Sequence, residues 1–213
     1  IKTAIDALSI SGLTVTKYPT SLELTRVVSG TRTAFTITAK GGLDNSLISV
    51  FQDQVDNVAQ LPSQSFHDHV TKVINTASTL DTYFAKFVAD DGTSGIGHWV
   101  ETLDPSKSPG LNADTMPHEL INSATNTFQF RKITWTARAV GDDTTNSHPS
   151  FVGSKIQQAF FHNNRLGFLS EDNVSLSQSS EFYNFYYTSA QTVTDADPVD
   201  LSCSTVRPAA LHA

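Results

Sequence analysis

The sequence predicts an α+β, β-rich fold: tandem α-β-β modules followed by antiparallel strands at propeller-like or sandwich-like spacing. Three observations carry this. The order helix, strand, strand occurs twice, over 1–42 and 45–92, and the second strands end alike, in "AFTITAKGG" and "YFAKFVADDG". One such unit buries its helix poorly, whereas stacked copies bury it well. From Lys155 onward, short apolar-polar runs recur between turn residues, the pattern of sandwiches and propellers. A composition of 38% hydrophobic and 16% charged residues over 213 positions supports packed cores rather than disorder.

In order, Ile1, Ile5 and Leu8 stand at helical spacing. "LTVTKY" and "SLELTRVV" alternate as strands, split by Pro19, and "TRTAFTITAKGG" reads as a third. Asn45 or Ser46 can cap a second helix, whose stripe is Leu47, Ile48, Phe51, Val55 and Val58 and whose end is Pro62. "FHDHVTKVIN" and "DTYFAKFVAD" follow as strands, closed by Asp90-Asp91-Gly92. "GHWVETLD" and "FQFRKITWTARAV" are strands on either side of a Pro-rich connection, "PSKSPGLNADTMPHELI". After the turn-rich "GDDTTNSHPSF" come "SKIQQAFFH", "RLGFLS", "NVSLSQ" and "EFYNFYY" as strands. The expected organisation is a tandem α-β-β module over 1–95, a β-rich connecting region with Pro-rich loops over 96–150, and a propeller-like or sandwich-like run of antiparallel strands over 151–213.

Charge and cysteine content exclude several functions. The formal charge is −7, and between Gly141 and Asp200 eight acids face two bases, Lys155 and Arg165. Such a surface repels phosphates, which disfavours ordinary nucleic-acid binding but still allows a surface that nucleic acid slides past. The single cysteine, Cys203, allows neither an internal disulfide framework nor a Cys-based zinc site. No apolar run reaches the roughly 18 residues of a membrane helix, and no signal peptide is expected in the opening residues. A start at Ile1 without Met and an end at "RPAALHA" lead to the expectation of a segment of a longer polypeptide.

Candidate chemistry is sparse. His67-Asp68-His69 would put two imidazoles on one strand face, two ligands of a possible zinc ion with no identifiable third. Asp195, Asp197 and Asp200 resemble a thin calcium loop, but the mid-loop glycine and closing glutamate are missing and Pro198 interrupts. They read instead as a solvated acidic turn. No cofactor and no metal are expected. A glycosidase needs two acids facing each other across a cleft, and the acids here sit at turns such as Asp142-Asp143 and Glu171-Asp172. Arg165, flanked by acids, reads as a structural pin that bonds a carboxylate or turn carbonyls. Phe160, Phe161, Phe168, Phe182, Phe185 and Tyr187 are the aromatics expected to be buried, and Gly167 permits a close approach or a bulge in its strand.

Several motifs in register carry a family resemblance. They are Asn164, Arg165, Leu166, Gly167, Phe168, Leu169 and Ser170; then Asn173 to Ser177; then Glu181, Phe182, Asn184 and Phe185; then Thr192 to Asp200 with Asp197 and Pro198. The last run has Val199 where isoleucine is frequent. "GHWVET" with Trp99 and Glu101, "NADTMPHEL" and "VGDDTTNSHPSFVGSKIQ" agree upstream, so the resemblance covers about Lys40 to Leu201. Together these resemble the tail nozzle (tail tubular protein B) family of short-tailed bacteriophages. The resemblance implies a structural virion protein of the tail. It implies a hexameric ring that serves as conduit and gate for genome ejection, with 1–95 as a peripheral module and 151–213 as the start of a propeller-like β domain. Its implied partners are further copies of the chain, the adaptor (tail tubular protein A), the tail fibres and double-stranded DNA in passage. The acids would then serve turns, subunit contacts or a DNA-repelling channel. The rival readings are a tail-associated enzyme that cleaves host-surface glycans and a β-rich cell-surface adhesion module.

Overall fold

A computed structural model describes residues 1–19, 21–39, 48, 50, 52, 54–74 and 82–203. The chain divides into two compact units, Ile1–Val100 and Glu101–Ala213. It is β-rich, with little helix among the described residues.

In the first unit, helix α1 (Lys2–Asp6) is a short turn tied by the Lys2–Asp6 ion pair at 2.8 Å. Strands β1 (Leu13–Lys17), β2 (Leu22–Val28) and β3 (Thr31–Arg32) form an antiparallel meander. Val28 pairs with Thr31, so Ser29-Gly30 is a two-residue loop, and both residues have positive φ. That is the turn whose twist matches a hairpin, and glycine adopts it without strain. The expected third strand stops at Arg32.

The rest of the unit holds β4 (Gln54–Val55), a 3-10 turn at Val58–Gln60, β5 (Gln64–Phe66), β6 (Val70–Val73), β7 (Tyr83–Ala89) and β8 (Ser94–Thr102). Their sheet order is β4-β6-β7-β8-β5, with β4 and β6 parallel. A three-stranded meander and a five-stranded mixed sheet are not copies of one unit, so the expected repeat fails among the described residues. The second helix fails in part as well. Ile48 is exposed and outside any helix, Val55 is buried in a strand, and Val58 is exposed on the 3-10 turn. Asn45, Ser46, Leu47 and Phe51 lie outside the described residues. Periodicity misled here because Val55 serves a cluster with Val73 and Ala85, a sheet contact that a helical stripe mimics over two turns.

"FHDHVTKVIN" is not one strand. It breaks at His67-Asp68, where Asp68 takes a positive φ of 62°. The two imidazoles therefore do not share a strand face. Nδ1 of His67 accepts the Ala89 N–H at 3.3 Å, while Nδ1 of His69 bonds the Ser65 hydroxyl at 2.7 Å and its ring stacks on Phe66. Among the described residues, no three His, Cys, Asp or Glu side chains gather to hold a metal ion.

In the second unit, β9 (His118–Ala124) and β10 (Thr127–Lys132) form a two-stranded ribbon. Strands β11 (Ile156–His162), β12 (Arg165–Ser170), β13 (Asn173–Leu176) and β14 (Val199–Ser202) form an antiparallel sheet in that order. The β11–β12 hairpin closes on Asn163-Asn164, both at positive φ, a conformation that asparagine tolerates best after glycine. The core gathers Met116, Ile133, Trp135, Phe151, Leu166, Phe168 and Phe185. Each large side chain buried there contributes about 1.5–3 kcal/mol. Phe151 meets Phe168 and Phe185 edge-on, with ring centroids 5.0 Å apart in each pair.

Two stretches expected as strands are not strands in full: Ile133–Ala139 and "EFYNFYY" run as irregular chain. Of the aromatics expected in the core, Phe168 and Phe185 are buried, and Phe160 and Tyr187 are half-buried. Phe161 and Phe182 are exposed, and Tyr186 is buried where Tyr187 was expected. Without strand alternation through 181–187, sequence parity does not tell inside from outside.

Candidate functional site

The motif residues converge in the second unit as a set of buried polar clamps around the aromatic core. All six residues of β12 are buried, because the strand lies between β11 and β13 and covers the core. Arg165 is 8% exposed. Its Nη1 donates to the carbonyls of Ser177 at 2.7 Å and Asp197 at 2.6 Å, and its Nη2 donates to the carbonyl of Asp195. The guanidinium thus joins the end of β13 to the 195–197 turn by carbonyl oxygens alone. Asn164 extends the clamp, with its amide on the Ser180 hydroxyl at 2.6 Å and its carbonyl accepting the Ser180 N–H at 2.9 Å.

Asp197 is 2% exposed and not a solvated turn residue. Oδ1 accepts the Thr188 hydroxyl at 2.9 Å, and Oδ2 accepts the Thr194 N–H at 2.7 Å and its hydroxyl at 2.9 Å. Burial pushes its carboxyl pKa up, but these hydrogen bonds outweigh burial and hold it below the usual range. Pro198, also buried, follows and leads into β14. Asn184 ties the irregular segment. Its Oδ1 caps the Tyr186 N–H at 3.0 Å, its Nδ2 bonds Gln178, and its own N–H reaches the Glu181 carbonyl at 3.1 Å. Glu181 itself is exposed. Leu166, Leu169 and Ser170 complete the buried strand. The Ser170 hydroxyl donates to the Lys155 carbonyl at 3.1 Å.

Gly167 bears out the close approach read from sequence. It pairs with Phe160 across the hairpin, and a Cβ there would stand 2.7 Å from both Cε1 and Cε2 of the Phe160 ring. The ring lies over the bare backbone and covers it.

Two clamps were missed in the sequence. Arg138 is buried, with Nη1 on the carbonyl of Asn146 at 2.8 Å and on Oδ1 of Asp143 at 2.9 Å, and Nη2 on the carbonyl of Ser108 at 3.1 Å. Lys107 takes the other oxygen of Asp143 at 2.8 Å. The Lys107 and Arg138 hydrogen bonds hold the Asp143 pKa low. Asn146 in turn donates to the carbonyls of Val140 and Tyr187 and accepts the Tyr187 N–H. The second clamp is Glu101, which accepts the Ser189 hydroxyl at 2.9 Å, the Ala190 N–H at 2.8 Å and the Gln191 amide at 2.6 Å. The signal for Arg138 is a lone cation in an alternating apolar run, "TWTARAV", which marks either a partnered burial or an edge.

These commitments decide what the acids do. Asp142 accepts the Thr144 and Thr145 N–H groups at 2.8 and 2.9 Å, and Asp200 accepts the Ser150 N–H and the Ser150 and Ser175 hydroxyls. With Asp143 and Asp197, half of the eight acids between Gly141 and Asp200 hold loops in place. Their oxygens are turned toward the protein's own donors. Glu171, Glu181 and Asp195 are exposed.

Such an arrangement defines a structural scaffold: a β-rich unit whose long loops are fixed from inside by charged and amide side chains. The chain belongs to the bacteriophage nozzle protein family, whose pattern matches residues 1–213. It is 35% identical over 175 residues to the tail tubular protein gp12 of Escherichia phage T7, an alignment that takes in 82% of this chain and 21% of that protein. The chain thus spans about a fifth of the length of the curated relative it matches. Family membership makes it a structural protein of the virion tail.

Proposed function

We propose that the chain forms part of the wall of a hexameric tail nozzle, a conduit and gate for genome ejection. The observation that carries this is how the motif residues are used. Arg138, Arg165 and Glu101 tie loops 30 to 90 residues apart in sequence, Asn184 and Asp197 fix their own turns, and the family is that of phage nozzles. A wall under the load of a passing genome needs loops that keep their shape. The four-stranded antiparallel sheet β11–β14 has the strand number and order of a propeller blade, which supports reading 151–213 as the start of a propeller-like domain. The first 95 residues then form a peripheral module, and 96–150 connects the two. Further copies, the adaptor and the tail fibres are the protein partners, and double-stranded DNA passes without being held.

Among the described residues, no helix is long and apolar enough to cross a membrane. Exposed Glu171, Glu181 and Asp195 are the acids available to repel DNA; Asp142 and Asp197 are withdrawn from that role by their internal bonds. Replacing the three exposed acids by lysine tests the conduit. Assembly should proceed, while ejection slows, most at low salt, because screening acts over about 8–10 Å at physiological ionic strength. Unchanged ejection at every salt concentration would remove these acids from the DNA path.

A further inference from the structure

The β9–β10 ribbon turns its more apolar face to solvent. In its register, Phe130 faces Leu120 and Phe128 faces Asn122, so Leu120, Phe128 and Phe130 share one face. That face is open to solvent, the three side chains being 66%, 64% and 71% exposed. The opposite face carries Glu119 and Arg131, joined at 2.6 Å, together with Gln129 and the half-buried Ile121. It is this less apolar face that the ribbon turns to its own unit, where Glu119 accepts the Tyr183 hydroxyl at 2.8 Å. Half-solvated antiparallel sheets normally do the reverse, and a lone two-stranded ribbon is marginal in water.

A second apolar patch lies near Tyr183. Phe161 and Phe182, 70% and 37% exposed, meet edge-on at 5.4 Å. We propose that the apolar ribbon face of one copy seats on the Phe161–Phe182 patch of a second copy of this chain. The inference deepens the nozzle reading and rests on it.

Area and charge select this occupant. The three ribbon side chains present about 350 Å² of apolar surface, within the range of the largest patches on single proteins. That is roughly half of the ~800 Å² per partner of a stable pair. One contact alone is weak. Two different patches that complement each other make a heterologous contact, and where its rotation closes, as the proposed hexamer requires, every copy is held twice. On the apolar face Lys132, exposed and paired only with the exposed Asp114, stands two residues from Phe130, whereas Phe182 is flanked by exposed Glu181.

The test uses the full nozzle polypeptide. Phe128→Ser with Phe130→Ser should leave the melting temperature unchanged, since both rings are exposed, and should raise the protein concentration needed for assembly by about 100-fold, the weight of two aromatic anchors. In a Cys203→Ser background, Phe130→Cys protein mixed with Phe161→Cys protein should form a mixed intermolecular disulfide. A parent that forms rings while the double serine variant does so equally well sinks the contact and spares the nozzle reading. A parent that stays monomeric at high concentration sinks both. Cross-links only between two Phe130→Cys copies mean a symmetric contact. In a chain carrying both cysteines, a bond that forms only within one polypeptide assigns the face to the chain itself. Either result overturns the proposal.

Discussion

Arg165→Lys probes the clamp at its centre. The native guanidinium donates to three buried carbonyls, those of Ser177, Asp195 and Asp197. Lysine offers one nitrogen in place of a planar fork, keeps at most two of these bonds, and leaves one or two carbonyls buried without a donor. Each orphaned group costs about 1–3 kcal/mol, so the substitution should cost about 2–4 kcal/mol. For a chain of this size that is a fall in melting temperature of roughly 5–15 °C. Thermal unfolding followed by near-ultraviolet circular dichroism, which senses Trp135 in the adjoining core, measures it. Arg131→Lys is the control. Its pair with Glu119 is exposed on the arginine side, and the change should stay within about 1 kcal/mol. If Arg165→Lys melts within about 1 °C of the parent, the guanidinium is not what holds the 195–197 turn, and the clamp reasoning fails.

Gly167→Ala should destabilise by about 1–3 kcal/mol through overpacking against the Phe160 ring; adding Phe160→Ala should remove most of that increment, a coupling read by a double-mutant cycle. Stability should fall as the medium is acidified below about pH 4. Asp197, Asp142 and Asp143 have folded pKa values below their unfolded ones, so their contribution is present above the unfolded values and lost as pH drops through the folded ones. Urea midpoints across pH 2–6 check this, and Asp197→Asn should flatten the slope. At the alkaline end, burial pushes the Tyr186 phenol up to about 12; its stabilisation is complete below the unfolded value near 10 and should disappear as pH rises to about 12, an effect absent from Tyr186→Phe.

Local chemistry made part of the fold legible. Strand β12 was readable because "RLGFLS" sits between two loops, Asn163-Asn164 and Glu171-Asp172, whose residues favour tight turns. The Gly167 approach and the pinning role of Arg165 followed from residue type. What stayed hidden depends on partners far along the chain. Strand β9 lies in "TMPHELI", where Pro117 and the Pro-rich connection resemble a loop, and only pairing with β10 makes it a strand. "EFYNFYY" alternates like a strand, yet Asn184 and Glu181 offer its backbone local bonds that win. Asp197 reads as a surface acid until Thr188 and Thr194 are seen around it. Its neighbours in sequence carry no sign of that burial, just as nothing beside Arg138 announces Ser108.

The measurement that bears most directly on the nozzle role is the density of the intact virion tail, at a resolution sufficient to trace strands. The second unit, with its four-stranded β11–β14 sheet, should appear as six copies around the tail axis at the nozzle, each β9–β10 ribbon against the neighbouring copy. Density that places the chain off the axis, as single copies on a fibre or on the capsid, would contradict the proposed conduit.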